Sequence, residues 1–274
     1  MRIYANQTRL NSLGDFDKMN TFEDTLLKHK KLLFEHFHLN ESENMVSEID
    51  KLINHLKNKN KVLFVTTSNR WVGDKQKAKS TILAEYISEQ LGNTTVIDAS
   101  KLKIYDCEGN VSKHEGNNCG VKESKLKDDK KNPTGNHRCW CSFNNKDDEL
   151  WEITKPLFEA DAIVFFVSTR WGQTNGIYQK LIERLTWLEN RHSTLKEDNI
   201  IADKEAGIVL IGQNWNGSSV VDIQKQVLKF FGFKVPDVLS FNWQYLKDPK
   251  DETAESYKAA PKQFEKDFGV KIKD

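Results

Sequence analysis

From Lys61 onward, short apolar runs alternate with segments whose apolar residues recur every three or four positions. Val62-Leu63-Phe64-Val65 reads as a strand, followed by a polar loop and a helix bearing Ile82, Leu83, Tyr86, Ile87 and Leu91 that stops at Gly92. Residues 94–98 read as a second strand, and 147–158 as a helix whose acidic start suits the positive N-terminal end of its dipole. The run Ala162-Ile163-Val164-Phe165-Phe166-Val167 lacks the alternation of a half-exposed strand, which predicts burial on both faces at the centre of a parallel sheet. It leads through Ser168-Thr169-Arg170-Trp171-Gly172-Gln173-Thr174-Asn175-Gly176 into a helix with Ile177, Leu181, Leu185 and Leu188. Gly207-Ile208-Val209-Leu210-Ile211 gives the fourth strand, before a helix with Val220, Ile223, Val227 and Phe231 that Gly232 caps. Residues 238–241 give the fifth, and a helix with Tyr257, Phe264 and Phe268, kinked or interrupted at Pro261, closes the chain.

Ahead of this region, residues 1–60 have helical periodicity only. Phe22, Leu26, Leu33 and Phe37 form one stripe, and after a break at Leu39-Asn40 a second follows in Met45, Ile49, Leu52, Ile53 and Leu56. This predicts a helical extension that packs on the main domain, residues 61–274, or on a partner subunit. Strands alternating with helices predict an α/β doubly wound sheet of five parallel strands, with order 2-1-3-4-5 as the leading arrangement. In that order a ligand lies across the loops that follow the first and third strands, where the direction of winding switches.

Charge and cysteine content narrow the picture. Forty-one basic residues nearly cancel forty acidic ones, for a formal net charge of +1, so neither a nucleic acid nor a membrane surface is an expected partner. No apolar stretch has the length of a membrane span or a signal-peptide core, so a cytoplasmic protein is expected. Cys107, Cys119, Cys139 and Cys141 all lie in a long aperiodic insertion at about 100–146, which argues for thiols or metal ligands ahead of disulfides. Their spacing matches no compact ferredoxin pattern and lacks paired C-x2-C knuckles; zinc with His114 or His137, and an ordered lid with free thiols, are both open readings. If the insertion folds over the site, His137 and Arg138 become substrate or cofactor candidates.

The loop after the first strand has neither a Gly-x-Gly-x-x-Gly nor a P-loop signature. It offers Thr66-Thr67-Ser68-Asn69-Arg70-Trp71, then Lys75, Lys77, Lys79, Ser80 and Thr81 at a helix start. Hydroxyls, backbone N–H groups and basic side chains at a positive helix end suit a monophosphate.

The segments 65–81 and 167–190 resemble the NAD(P)H-dependent FMN reductase branch of the flavodoxin-like superfamily. Ser68 and Arg70 match its Ser-x-Arg loop, Ser80 and Thr81 its following helix start, and Ser168, Trp171 and Gly172 its loop after the third strand. Thr169 stands where that family usually has proline, and Trp71 and Val72 make the first loop bulkier than the usual glycine-rich one. The resemblance implies FMN, with phosphate near Ser68, Arg70, Ser80 and Thr81, the ring against the backbone of Thr169, Arg170, Trp171 and Gly172, and Ser168 as a further cofactor-binding residue. Asn214 and Trp215, after the fourth strand, are the further ring contacts expected. It also implies hydride transfer from NAD(P)H as co-substrate to a small-molecule electron acceptor such as a quinone, nitro or azo compound, and a homodimer formed through the helix of residues 176–191. No Ser-His-Asp, Cys-His or paired-carboxylate constellation is evident, so no catalytic side chain is named. A flavodoxin-like electron carrier without NAD(P)H turnover, or a non-catalytic member of the fold, are the alternative classes.

Overall fold

A computed structural model describes residues 45–70, 76–114, 116–212, 216–245 and 253–272. Asn214, Trp215, Trp71, Lys75 and the stripe from Phe22 to Phe37 lie outside the described residues. The sheet has five parallel strands: β1 (Val62–Thr66), β2 (Thr94–Asp98), β3 (Ala162–Arg170), β5 (Glu205–Gly212) and β6 (Phe241–Gln244). A two-residue strand β4 (Gln173–Thr174) pairs antiparallel with the tip of β3. The parallel order is β2-β1-β3-β5-β6, which is the 2-1-3-4-5 winding of a flavodoxin-like fold.

The continuous apolar runs have the expected cause. Successive side chains of a strand point to opposite faces, and here both faces are covered. Leu63, Val65, Ile163, Phe165, Val167, Ile208 and Leu210 face one core, with α4 (Trp151–Glu159), α5 (Gly176–Ser193) and α6 (Gly217–Phe231). Val62, Phe64, Val164, Phe166, Val209, Ile211 and Trp243 face the other, with α1 (Val46–Leu56), α2 (Lys79–Leu91) and α7 (Ala254–Phe268). The stripe from Met45 to Leu56 thus packs on the main domain and shares its core.

Three element boundaries depart from the sequence reading. The helix expected over 147–158 starts at Trp151, because its acidic residues are taken elsewhere: Asp148 pairs with Arg184, and Asp147 bonds Lys103 and Tyr105. The fifth strand starts at Phe241. Residues Asp237–Leu239 form a 3-10 turn pressed so closely on β5 that a Cβ on Gly207 would lie 2.2 Å from the Leu239 carbonyl oxygen. Pro261 does not interrupt the last helix, which runs through it from Ala254 to Phe268.

The described part of the insertion packs away from the site. It wraps the outer face of α5, with the short helix α3 (Trp140–Asn144) and 3-10 turns at Asn110–Ser112 and Lys122–Ser124, and none of its described residues lines the crevice identified below. A Cβ on Gly120 would lie 2.9 Å from the Trp187 carbonyl oxygen, so the insertion's backbone touches that helix. Arg184, projecting from α5, is fully buried with Asp148: its Nη1 donates to Asp148 Oδ1 at 2.8 Å and its Nη2 to Asp148 Oδ2 at 2.9 Å. Arg184 also donates to the Tyr105 carbonyl and to Ser142 Oγ, and Ser142 donates to Asp148 Oδ2 at 2.6 Å. Burial alone would raise the Asp148 pKa; the bonds from Arg184 and Ser142 outweigh it and hold the carboxyl below its ordinary value.

His137 is buried in this network, 2.6 Å from Thr154 Oγ1 and 2.9 Å from Ser142 Oγ, with its ring stacked on Trp187. Arg138 bonds Glu197 and His114 is exposed, so the insertion delivers none of these three to a ligand site. The four cysteines are free thiols, with Cys139 and Cys141 buried and Cys107 exposed. Burial pushes the Cys119 and Cys141 thiols up to about 12, which keeps them protonated at neutral pH. Among the described residues, no group of three or more His, Cys, Asp or Glu side chains is placed to hold a metal ion. Nor is any helix among them long and apolar enough to cross a membrane.

The same packing shows what surrounds the helix expected as a dimer face. Tyr178, Leu181, Leu185 and Leu188 of α5 face its own sheet, while Arg184, Trp187, Asn190 and Arg191 are buried by the insertion and the loop after the helix. Gln179 and Glu183 are left exposed.

Two outcomes are expected from the buried network. Arg184→Met, which leaves the Asp148 carboxylate unpaired, should cost about 3–5 kcal/mol in urea unfolding at pH 7; a cost under about 1 kcal/mol would contradict the pairing. Burial, and after it the Arg184 charge, lowers the His137 pKa from 6.5 to about 3. Between those values the unfolded chain holds a proton that the folded chain does not, so stability is complete above pH 6.5 and falls with pH, by up to about 1.4 kcal/mol per unit. Unfolding at pH 7 and 5 should therefore show a loss that His137→Gln reduces by about 2 kcal/mol; equal losses in both proteins would refute the assignment.

Candidate functional site

The crevice lies above the carboxyl ends of β1 and β3, where the winding switches. It is about 600 Å³ in volume, and its lining includes Ser68, Arg70, Lys79, Ser80, Ser168, Thr169, Arg170 and Trp171. Gly212, Trp243, Tyr257 and Pro261 supply the side toward β5, β6 and α7. Three cationic side chains and no carboxylate line it among the described residues.

One wall is the start of α2. Its N-cap position is Ala78, which has no side chain to accept a hydrogen bond, and no acidic residue occupies the first turn. Among the described residues no side chain caps the N–H groups of that turn, the arrangement of other anion-binding helix starts. Ser80 and Ser68 are both buried, and Ser80 Oγ donates to Ser68 Oγ at 2.6 Å, joining the helix start to the loop after β1. Burial, and after it the Arg70 charge, lowers the Lys79 pKa. An anion between Lys79 and Arg70 would relieve both effects. Lys77 points away and pairs with Glu85 at 2.6 Å, so of the basic residues noted in this loop only Arg70 and Lys79 line the crevice among those described.

The other wall is the tip of β3. Thr169 and Arg170 pair with Thr174 and Gln173, and the two-residue turn between them, Trp171-Gly172, has φ of 50° and 68°. Two positive φ values are the backbone of a tight hairpin turn, natural for glycine and uncommon for tryptophan. The Trp171 side chain is 83% exposed on the crevice rim. The turn is held from β5: a Cβ on Gly212 would lie 2.7 Å from Thr169 Cβ, and Asn216 Nδ2 donates to the Gly172 carbonyl at 3.0 Å.

Asn175 joins the two walls. Its Oδ1 caps α5 by accepting from Tyr178 N at 3.0 Å, while its Nδ2 donates to Thr67 Oγ1 at 3.0 Å and to Ser168 Oγ at 3.1 Å. Asparagine immediately before an apolar-periodic segment is an N-cap signature, the signal that could have singled it out in the sequence. Ser68, Arg70, Ser80, Ser168, Thr169, Arg170 and Trp171 therefore meet around one crevice. Thr81 is buried in α2 and Gly172 in the turn, neither among the lining residues. Trp243, Tyr257 and Pro261 arrive from distant strands and helices and had no local signature.

Fold and site together define an α/β protein of flavodoxin-like architecture with a cationic crevice at the switch point. No protein-family model matches the chain, and no curated protein matches it in sequence. Among solved structures it is similar to RosB with bound 8-demethyl-8-formylriboflavin-5'-phosphate, at 15% identity and TM-score 0.47 over 76% of this chain and 77% of that one. It is also similar to azoreductase AzrA, at 17% identity and TM-score 0.45 over 76% and 97% of the two chains. An azoreductase from Bacillus anthracis str. Sterne gives 16% identity and TM-score 0.43 over the same shares. These are likenesses of chain path; the class rests on strand order and on the crevice.

Asn175→Ala removes both the cap and the link between the walls. It should lower stability by about 1–2 kcal/mol in thermal or urea unfolding; an unchanged midpoint would contradict its role in joining β1 to β3.

Proposed function

We propose that the crevice binds FMN and that the protein is an NAD(P)H-dependent flavin oxidoreductase serving a small-molecule electron acceptor. The observation that carries this reading is the match between the crevice and a planar ligand with a dianionic end. Arg70, Lys79 and Arg170 line the crevice around a helix start whose N-cap residue is Ala78, and the volume of about 600 Å³ is that of an ordinary cofactor site. Lys79, Ser68, Ser80, Arg70 and the first-turn N–H groups would hold the phosphate, as point charges and short donors. The hairpin tip from Thr169 to Gly172 would carry the ring, with the Trp171 indole at its edge.

When bound, flavin supplies hydride acceptance from a reduced nicotinamide and electron delivery to an acceptor. The chain's own residues bind and orient. Asn175 and Gly212 fix the β3 tip, and Arg170 brings positive charge to the crevice, where an anionic ring or co-substrate is stabilised. No side chain here is required to move a proton.

The phosphate assignment is tested by comparing FMN with riboflavin, which lacks it. Fluorescence titration of the purified protein should give tighter binding of FMN. Lys79→Met should weaken FMN about 10- to 100-fold while changing riboflavin affinity by less than about threefold. Absence of FMN binding, or equal loss for both ligands, would sink the reading. Bleaching of bound flavin by NADPH or NADH in stopped flow then separates a reductase from an electron carrier.

A further inference from the structure

α6 is the last helix of its layer, lying over β5 and the edge strand β6. Its inner face, with Val220, Val221, Gln224, Leu228 and Phe231, is buried within the domain. Its outer face lacks the polar character usual on a surface helix. Ile223 is 53% exposed and Phe230 79%, and the half-buried Val227 lies between them. These residues stand four and three positions apart, so they form one apolar stripe over two helical turns. An exposed apolar residue by itself is ordinary; a continuous stripe of them marks an interaction surface.

Charges flank the stripe along one edge. Asp222 and Lys229, both exposed, are seven residues apart and so lie in line along that edge, with the exposed Gln226 between them. Lys225 is on the opposite side of the helix and pairs with Asp237 at 2.6 Å.

This pattern is complementary to itself in one direction. A two-fold axis perpendicular to α6 makes two copies antiparallel and sets each edge of the helix against the same edge of its copy. With the axis at Gln226, Asp222 and Ile223 lie four and three residues before it, and Lys229 and Phe230 three and four after it. Asp222 is then offset by one residue, about 1.5 Å along the helix, from the partner's Lys229, and Ile223 by the same amount from the partner's Phe230. The two Gln226 amides meet at the centre, where each can donate and accept. A parallel pairing would instead set Asp222 on Asp222 and Lys229 on Lys229, which like charges oppose.

We propose that this stripe is the contact between two copies of the chain, packed as an antiparallel α6 pair about a two-fold axis at Gln226. The contact uses a different helix from residues 176–191, where the family resemblance puts it, and it stands whether or not the crevice holds FMN. One helix pair is a small interface, so the dimer should dissociate on dilution.

Sedimentation of the full-length protein over a dilution series tests this and should show a monomer–dimer equilibrium. Phe230→Glu should weaken dimerisation by about tenfold or more. Because Phe230 is 79% exposed, the urea-unfolding midpoint of the diluted protein should not move with it. Asp222→Lys, which sets like charges together, should weaken dimerisation about fivefold, and the double variant Asp222→Lys/Lys229→Asp should restore it to within about twofold, since it only exchanges the ends of each pair. Monomer at every concentration, a dimer indifferent to Phe230→Glu, or a double variant as weak as Asp222→Lys alone would each overturn the proposal.

Discussion

The reversal of winding between β1 and β3 is the constraint from which the rest of the molecule follows. The helix after β1 returns on one face of the sheet and the helix after β3 on the other, so neither crossover covers the strand tips between them. A crevice is left open by topology alone. Its shape, however, depends on the two loops beyond the strands, where past β1 the backbone pairing continues with Thr67 N donating to the Phe166 carbonyl. The amide of Asn175 adds a side-chain connection, with one end capping α5 and the other donating to Thr67 and Ser168. A single side chain thus sets the start of α5 and the spacing of both walls.

The crevice is also charged against itself. Lys79 is partly desolvated beside Arg70, and the helix start between them adds partial positive charge with no cap to absorb it. Both effects disfavour the charged form of Lys79. The same interactions become favourable when a dianion enters, and a ligand that binds only the folded state stabilises it by mass action. An anionic ligand would offset the Arg70 charge that acts on Lys79, which is why these cations are informative where lone surface lysines would not be.

Much of this was legible in the sequence. The strands were, because burial on both faces removes polar positions, and the runs around Val62, Ala162 and Gly207 are unmistakable for that reason. The two walls were, because hydroxyls and basic residues at the strand ends are rare there without a ligand. Three things were not. Trp243, Tyr257 and Pro261 reach the crevice only through the tertiary fold. The fifth strand was misplaced because Leu239 is as buried as a strand residue while sitting in a 3-10 turn on Gly207. And α5 was read from one stripe, Ile177 to Leu188, although Arg184, Asn190 and Arg191 are buried too. Polar side chains on a helix read as a solvated face until the groups that satisfy them are seen.

That second face explains how an insertion with so little apolar periodicity stays ordered. It cannot secure itself by burying a hydrophobic stripe, so it is held by satisfied polar groups: Asp148 and Ser142 on Arg184, the Cys119 carbonyl on Asn190, and the Asn136 carbonyl on Arg191. Attachment of this kind is directional and depends on protonation, since a buried carboxylate or neutral imidazole holds its place only in one charge state. An apolar contact between the same surfaces would tolerate both sliding and acid. The polar contact tolerates neither.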